Sequence, residues 1–310
     1  CDVPLEGVLM VPTVASIYEV PLILEEQGLA TLITDAMAID VEDQKLGLNG
    51  WSDLVDLIKS PKERLKIAVV GKYVDLHDSY MSVKEALIHA GLFHSRDIEI
   101  DWIGAEDVEN DGAAHYLSNV DGIVVPGGFG YRGVEGMIDT VKFARENNVP
   151  YLGLCLGMQV MVIEAARNLL GKEGANSSEF DSDTKDPVID LMLDQVDVKE
   201  KGGTMRLGVY PCVIEDGSII SRAYGTKNIM ERHRHRFEFN NAYKEDLKSV
   251  GLLPTGISPD GQLVEIVEYK SHPFMAGTQF HPEFLSRPTR PHPLFREFIA
   301  AAGGFEPNSR

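Results

Sequence analysis

Alternation between apolar runs and amphipathic segments is the feature that most restricts the fold of this 310-residue chain. From residue 66 onward, the runs "KIAVVGKY", "IEIDWIG", "DGIVVPGGFG" and "PYLGL" are each followed by a stretch with helical apolar spacing. Nearly continuous apolar strands are typical of a parallel sheet whose two faces are both covered by helices. We therefore predict an α/β fold with a mostly parallel, doubly wound sheet.

Two motifs lie where strands of this predicted sheet end. "PGGFG" (residues 126–130) ends the third strand, and "GLCLGMQ" (residues 153–159) connects the fourth strand with its helix. In sheets of this class, ligands bind beyond the carboxyl ends of the strands. The sequence thus predicts a ligand site between these two motifs.

The chain divides by composition into three parts. Residues 1–46 have an apolar and acidic helical pattern, which we interpret as a short helical remnant of another domain. Residues 47–65 have the composition of a short helix followed by a connector. Residues 66–310 form the predicted α/β domain, with an acidic surface excursion at 171–203 and further strands in "TMRLGVYPCVI" and "QLVEIVEY".

The acidic balance of the chain limits its partners. Its 48 acidic residues exceed its 29 lysines and arginines, and the net charge of −19 repels nucleic acid. The sequence has no apolar stretch long enough to span a membrane and no CxxC or His-rich metal motif. Cys1, Cys155 and Cys212 are too few for a disulfide framework. We expect a cytoplasmic protein that binds a small molecule, without nucleic acid, membrane or metal.

Cys155 is at the centre of a tight strand-to-helix turn. Gly153-Leu154-Cys155-Leu156-Gly157 has the glycine–x–nucleophile–x–glycine form of a nucleophile elbow. This turn lifts the sulfur out of the sheet to a helix N-terminus, where the macrodipole favours the thiolate. The pattern predicts a nucleophilic cysteine, with an inert buried cysteine as the alternative.

His281 and Glu283 supply the partners that a thiolate needs. They lie two residues apart in "GTQFHPEF", so on an extended segment both side chains point to one side, and Pro282 favours that geometry. The carboxylate would orient the imidazole while the second ring nitrogen faces the sulfur. We predict a Cys155–His281–Glu283 triad, the alternative being a solvated strand end.

The loop "VVPGGFG" (residues 124–130) is a candidate oxyanion-binding loop. Acyl transfer requires backbone N–H groups directed at the developing oxyanion, and paired glycines allow the backbone to approach the substrate. Gly128 or Phe129 would supply one donor and Leu156 the other. The loop lacks the spacing of a dinucleotide fingerprint, and the sequence has no phosphate-binding G-x-x-x-x-G-K-[ST] loop.

In this order, the three motifs resemble those of the class I (triad) glutamine amidotransferases, which have a flavodoxin-like fold. "KIAVVGKYVDLHDSYMSVKEAL", "VPGGFGYRG", "GGTMRLG", "ERHRHRFEFN" and "TQFHPEFLSRPTRPHPLF" are together similar to the cytidine triphosphate (CTP) synthase family. "SIYEVPLILEEQGL" is similar to the end of that family's synthetase (amidoligase) domain. The resemblance covers essentially the whole chain.

The resemblance implies a role for each matching residue. Cys155 would be the nucleophile, His281 the acid–base and Glu283 its orienter. L-Glutamine would contact Gly128, Leu156, Gln159, Glu179 (through its ammonium group) and Arg236 (through its carboxylate). GTP is an allosteric activator in the family, and Arg206 in "TMRLG" is a candidate for contacting it.

The resemblance also implies what acts together with this domain. In the family, the ammonia released from glutamine passes to a synthetase domain, which uses ATP and Mg²⁺ to aminate UTP to CTP in pyrimidine biosynthesis. The phosphate loop and UTP-contacting segments of that domain are absent from this sequence. We therefore expect the chain alone to be at most a glutaminase without a cofactor, and the full-length protein to be a tetramer.

Two other functions fit parts of the pattern. A γ-glutamyl hydrolase would use the same three triad residues, although "GGTMRLG" and "RHRHRFE" argue against it. A regulatory or assembly module with a weak site is the second alternative, and the intact Cys, His and Glu set argues against that.

Overall fold

Two units make up the chain, residues 1–62 and residues 63–310. The structure, a computed structural model, describes residues 3–40, 48–191 and 205–305. The boundary falls inside the segment 47–65 that the sequence predicts as a connector. Cys1 and the C-terminal part of the predicted acidic excursion lie outside the described residues.

The first unit is helical where it is described. Its helices are α1 (Val20–Glu26), α2 (Leu29–Ala36) and α3 (Asn49–Lys59). A capping box between Ser16 and Glu19 starts the turn that leads into α1. The Trp51 indole of α3 donates to the Tyr18 carbonyl at 2.6 Å, which holds α3 to this turn.

The second unit is organised around its strands. They are β1 (Glu63–Gly71), β2 (Arg96–Gly104), β3 (Gly122–Val125), β4 (Tyr151–Leu154), β5 (Asn176–Ser177), β6 (Pro187–Leu191), β7 (Arg206–Ile214), β8 (Asn228–His235), β9 (Phe237–Phe239), β10 (Leu252–Ile257), β11 (Val264–Tyr269) and β12 (Met275–Thr278). In the described part of the chain, nine of them form one sheet in the order β2-β1-β3-β4-β12-β11-β10-β7-β8. A small second sheet has the order β5-β6-β9.

The large sheet has a parallel and an antiparallel half. The strands β2, β1, β3, β4 and β12 pair in parallel, and the chain reverses direction between neighbours from β12 to β8. The parallel half has the strand order that is typical of flavodoxin-like sheets. In sheets with this strand order, ligands bind where the connections of neighbouring strands run to opposite faces of the sheet.

Helices cover both faces of the sheet. They are α4 (Met81–Phe93), α5 (Ala105–Asp111), α6 (Ala113–Leu117), α7 (Val134–Asn147), α8 (Leu156–Asn168), α9 (Ile219–Tyr224), α10 (Lys244–Ser249) and α11 (Pro293–Ala302). In β1, Ala68 and Val70 pack on the side of α5 to α8, whereas Ile67 and Val69 pack on the side of α4, α9 and α11. The alternation follows because successive residues of a strand point to opposite faces.

The predicted α/β fold with its mostly parallel, doubly wound sheet is confirmed. The details differ in two places. The helical stretch that follows β2 is two helices, α5 and α6, because Gly112 between them has a φ of +84°. The acidic surface excursion predicted at 171–203 contains β5 and β6, and β6 pairs with β9. No helix in residues 3–40, 48–191 and 205–305 is long and apolar enough to cross a bilayer.

Candidate active site

A pocket lies at the carboxyl ends of four neighbouring strands. Its volume is about 200 Å³. Tyr73 follows β1, the segment 127–129 follows β3, Cys155 follows β4 and His281 follows β12, and all of them line it. A cavity therefore lies between the two motifs at the strand ends.

Cys155 has the strained backbone of a nucleophile elbow. Its backbone angles, a φ of 52° and a ψ of −98°, are rarely adopted by a residue that has a Cβ atom. The turn is held because the Cys155 N–H donates to the Thr278 carbonyl at 2.6 Å. The Cys155 carbonyl accepts from the first turn of α8, from the N–H groups of Met158 and Gln159. The thiol is 5% exposed and therefore sits at the pocket wall rather than sealed in the core.

The two glycines of the elbow allow strand and helix to touch. A Cβ on Gly153 would lie 2.6 Å from the carbonyl of Gly157, and a Cβ on Gly157 would overlap the Val125 carbonyl. Tyr151 donates its hydroxyl to the Gly157 carbonyl at 2.8 Å, which fixes the same contact. The glycine pattern is therefore a packing requirement of the turn that presents the sulfur.

We expect Gly157→Ala to lower the free energy of unfolding by about 3 kcal/mol or more, because the new methyl meets rigid backbone. Gly174→Ala is the matched control, since a Cβ at that position would have no atom within 4 Å, and it should stay within about 0.5 kcal/mol. Urea unfolding of the three proteins measures both values. Equal stability of Gly157→Ala and the unsubstituted protein would contradict the close approach.

His281 connects the sulfur with Glu283. Its Nδ1 lies 2.8 Å from Glu283 Oε1, and the ring lies beside the Cys155 side chain, since a Cβ on Gly127 would contact both. The N–H of His281 donates to the Arg232 carbonyl of β8 at 2.8 Å, which fixes the backbone that carries the ring. The imidazole therefore lies between the thiol and the carboxylate.

The His281 imidazole is held in its protonated form. Burial alone would lower its pKa, but the Glu283 carboxylate and the neighbouring Cys155 side chain outweigh it and raise the pKa to about 11. Gly127 packs against this ring, since a Cβ there would lie 2.9 Å from His281 Cε1. A protonated ring beside the sulfur favours a negative charge on the sulfur.

Backbone N–H groups near Cys155 are the candidate oxyanion donors. Leu156 is the first residue of α8, so its N–H has no acceptor within the helix. Gly128 packs against the Leu156 side chain, where a Cβ would be 3.3 Å away. The N–H of Phe129 lies 3.5 Å from the Tyr73 hydroxyl. Of the two residues predicted to donate from this loop, Gly128 is therefore the better placed.

Two charged side chains hold the 127–130 loop. Lys72 Nζ donates to the carbonyls of Phe129 and Gly130, and Glu179 Oε1 accepts from the Gly130 N–H at 2.9 Å. Lys72 is buried, and this burial lowers its pKa to about 8 although Glu179 is close. The loop is thus fixed from both sides at its C-terminal end.

A smaller recess of about 30 Å³ adjoins the sulfur. The residues that line it include Gln159, Glu179 and Arg236, which the family resemblance assigns to glutamine. Gln159 is only 4% exposed and donates to the Phe237 carbonyl at 3.2 Å, so it is not an ordinary surface residue of α8. The structure therefore brings all three residues to the side of Cys155.

Arg206 lies elsewhere. It is 8% exposed, its Nη1 is 2.7 Å from Glu265 Oε1 and 3.5 Å from Glu238 Oε1, and it stacks on Tyr210. Burial raises the pKa of Glu265 to about 7 in spite of this partner. This placement suits a structural ion pair better than the effector contact expected from the sequence, because the guanidinium is paired and covered.

Sequence reasoning missed two residues of the site. Gln279 Nε2 lies 3.6 Å from Cys155 Sγ, and Lys72 anchors the glycine loop. The signals were present: Gln279, His281 and Glu283 have a spacing of two, and Lys72 directly follows β1 at the carboxyl edge of the sheet. In the described residues, no group of three His, Cys, Asp or Glu side chains is placed to hold a metal ion.

Known proteins match this chain over most of its length. Residues 75–301 match the family described as glutamine amidotransferase class-I. A CTP synthase of Dehalococcoides mccartyi is 58% identical over 302 residues, 97% of this chain and 55% of that protein. A CTP synthase of Roseiflexus sp. is 57% identical over 97% of this chain and 54% of its own length. The chain thus spans about half the length of the curated relatives it matches.

A solved structure covers the same region. The glutaminase domain of Trypanosoma brucei CTPS, with bound acivicin, is 39% identical and superimposes with a TM-score of 0.74. The match covers 78% of this chain and 95% of that domain. Together with the family match, this means that the chain belongs to the class I glutamine amidotransferase family and, within it, to the glutaminase domains of CTP synthases.

Proposed function

We propose that the chain hydrolyses L-glutamine to glutamate and ammonia, as the glutaminase part of a CTP synthase. The observation that carries this proposal is the line from the Cys155 thiol through the His281 imidazole to the Glu283 carboxylate, at the wall of a pocket at the strand ends. The family of the chain supports glutamine as the substrate.

The first half of the reaction forms a thioester. The Cys155 thiolate attacks the side-chain amide carbon of glutamine, and the N–H groups of Gly128 and Leu156 stabilise the oxyanion. His281 Nε2 then gives its proton to the departing nitrogen, which leaves as ammonia. The protonated ring described above is the form that this step needs.

The second half returns the enzyme to its starting state. The neutral imidazole of His281 takes a proton from water, and the resulting hydroxide attacks the thioester carbon. The carbon–sulfur bond breaks with its electron pair on sulfur, which restores the thiolate and releases glutamate. Glu283 holds the ring in the tautomer whose Nε2 faces the sulfur throughout.

The recess beside Cys155 would hold the amino-acid end of glutamine. Glu179 would accept the ammonium group and Arg236 the carboxylate, while Gln159 forms the floor. The trypanosomal relative is described with acivicin bound to its glutaminase domain. That relative supports a small-molecule site in this domain.

In the whole protein, the ammonia would serve the ATP- and Mg²⁺-dependent amination of UTP to CTP in a synthetase domain. Residues 1–46 would be the end of that domain and 47–65 the linker, and GTP would activate a cytoplasmic tetramer. The CTP synthases that match 97% of this chain support this assignment.

We expect a glutamine-analogue electrophile to label Cys155, with L-glutamine protecting it and peptide mapping by mass spectrometry locating the adduct. Cys212 is the internal control, because burial raises the pKa of its thiol and it should stay unlabelled. Assays with glutamine and with γ-glutamyl peptides separate the proposal from a γ-glutamyl hydrolase. Absence of label on folded protein would instead favour an assembly module.

A further inference from the structure

Gln279 is a wholly buried amide next to the nucleophile. It directly follows β12, has 0% exposure, and its Nε2 lies 3.6 Å from Cys155 Sγ. Its backbone N–H donates to the Glu265 carbonyl at 2.8 Å, which fixes the residue at the sheet edge. A buried amide that faces a sulfur atom is costly unless its hydrogen bonds are made.

The orientation of this amide is set by a second amide. Gln159 Nε2 donates to the Phe237 carbonyl at 3.2 Å and to Gln279 Oε1 at 3.4 Å. A backbone carbonyl only accepts, so the Gln159 side chain must present its NH₂ group there. Because the Gln159 NH₂ group donates, the atom of Gln279 that faces it must be the oxygen. The NH₂ group of Gln279 therefore faces the sulfur. A flipped Gln279 would set two donors against each other.

The Gln279 N–H stabilises the sulfur most strongly when the sulfur is negatively charged. A hydrogen bond to an ionised acceptor is roughly twice as strong as one between neutral groups. The sulfur is anionic before attack and again when the thioester breaks, and it is neutral in the thioester between. An N–H fixed at the sulfur therefore stabilises the thiolate twice, before it attacks glutamine and when the thioester breaks.

We propose that Gln279 is a further catalytic residue, whose side-chain N–H, oriented by Gln159, stabilises the Cys155 thiolate. This inference rests on the proposed function for its role in turnover, but its effect on the sulfur is independent of glutamine. In thioester hydrolysis, the carbon–sulfur electron pair returns to Sγ, and the Gln279 N–H stabilises the departing charge there. His281 and Gln279 hold the sulfur as two separate donors.

The test is the pH profile of Cys155 alkylation by iodoacetamide, followed on the Cys155 peptide by mass spectrometry. Gln279→Met keeps the length of the side chain but removes the donor, and Gln279→Glu replaces it with a like charge. We expect the midpoint of the profile to move to higher pH, by about one unit or more in Gln279→Glu and less in Gln279→Met. Gln262→Met, at an exposed glutamine, is the control and should keep the original profile.

A structural role alone would not move this profile. An unchanged alkylation profile in folded Gln279→Met and Gln279→Glu would overturn the inference. Gln159→Met is the second variant if the position-279 variants do not fold. Loss of the orienting partner should shift the alkylation profile in the same direction. An unchanged profile in Gln159→Met would also count against the inference. A shifted profile in a protein that does not hydrolyse glutamine would sustain this inference while the proposed function fails.

Discussion

Cys155→Ala should lower the rate of ammonia release from glutamine by about 10⁴-fold or more, since removal of a nucleophile abolishes the covalent route. The sulfur is the nucleophile of the proposed reaction, and alanine leaves nothing in that position to attack the amide. Ammonia is measured with a coupled glutamate dehydrogenase assay. The substitution itself is mild, because the strained φ of 52° remains and only one sulfur atom is lost.

Cys212→Ala is the matched control for that experiment. Cys212 is 1% exposed and packs in the core on the side of α9, away from the pocket, so its loss should affect stability rather than turnover. Thermal unfolding of both variants shows that they are folded. Ammonia release by Cys155→Ala at a rate within tenfold of the unsubstituted protein would refute the assignment of the sulfur.

His281→Ala should lower the same rate by about 10²- to 10⁴-fold, the usual contribution of a positioned acid–base group. Without the ring, ammonia has no proton donor in the first half of the reaction and water has no base in the second. Alkylation of Cys155 at neutral pH should slow as well, because the positive charge beside the sulfur is gone. His115→Ala, at an exposed histidine on α6, should leave both rates unchanged. Retention of full activity by His281→Ala would exclude the ring from the mechanism.

The raised pKa of His281 also predicts how stability changes with pH. The folded state binds the His281 proton up to about pH 11, whereas an unfolded histidine loses it near 6.5. The folded protein therefore holds more protons in this interval, and the contribution of His281 to stability, complete below pH 6.5, is lost as pH rises towards 11. Urea unfolding of the unsubstituted protein and of His281→Ala measures this contribution. The difference between their free energies of unfolding should become smaller as the pH rises from 6.5 towards 11.

The core of the site was predictable because its signals are local. Gly153 and Gly157 mark a turn in which these two positions have no room for a side chain. His281 and Glu283 are two residues apart on one extended segment. The parallel half of the sheet was predictable for the same reason, since each strand–helix pair is continuous in sequence. Neither inference needs knowledge of how distant segments pack.

The parts that sequence reasoning missed depend on distant contacts. The sequence shows Arg206 only as an arginine in a strand, whereas the fold brings Glu265 of β11 and Glu238 of β9 to its guanidinium. Gln279 was visible in the motif, but its meaning depends on Gln159, which is 120 residues away in sequence. The pairing of β7 with β10, which completes the antiparallel half of the sheet, likewise joins segments that are not neighbours in the sequence.

The position of β8 in the large sheet has a further consequence. In strand order, β8 is an outer strand and four others separate it from β4, yet its backbone carbonyls reach the catalytic loop: Arg232 accepts from the His281 N–H, and Arg234 from the Cys155 thiol at 4.0 Å. Outer strands invite pairing with other chains unless something shields them. Here the backbone N–H of His281 already occupies one of these carbonyls, so another chain that paired there would have to displace the segment that carries the imidazole.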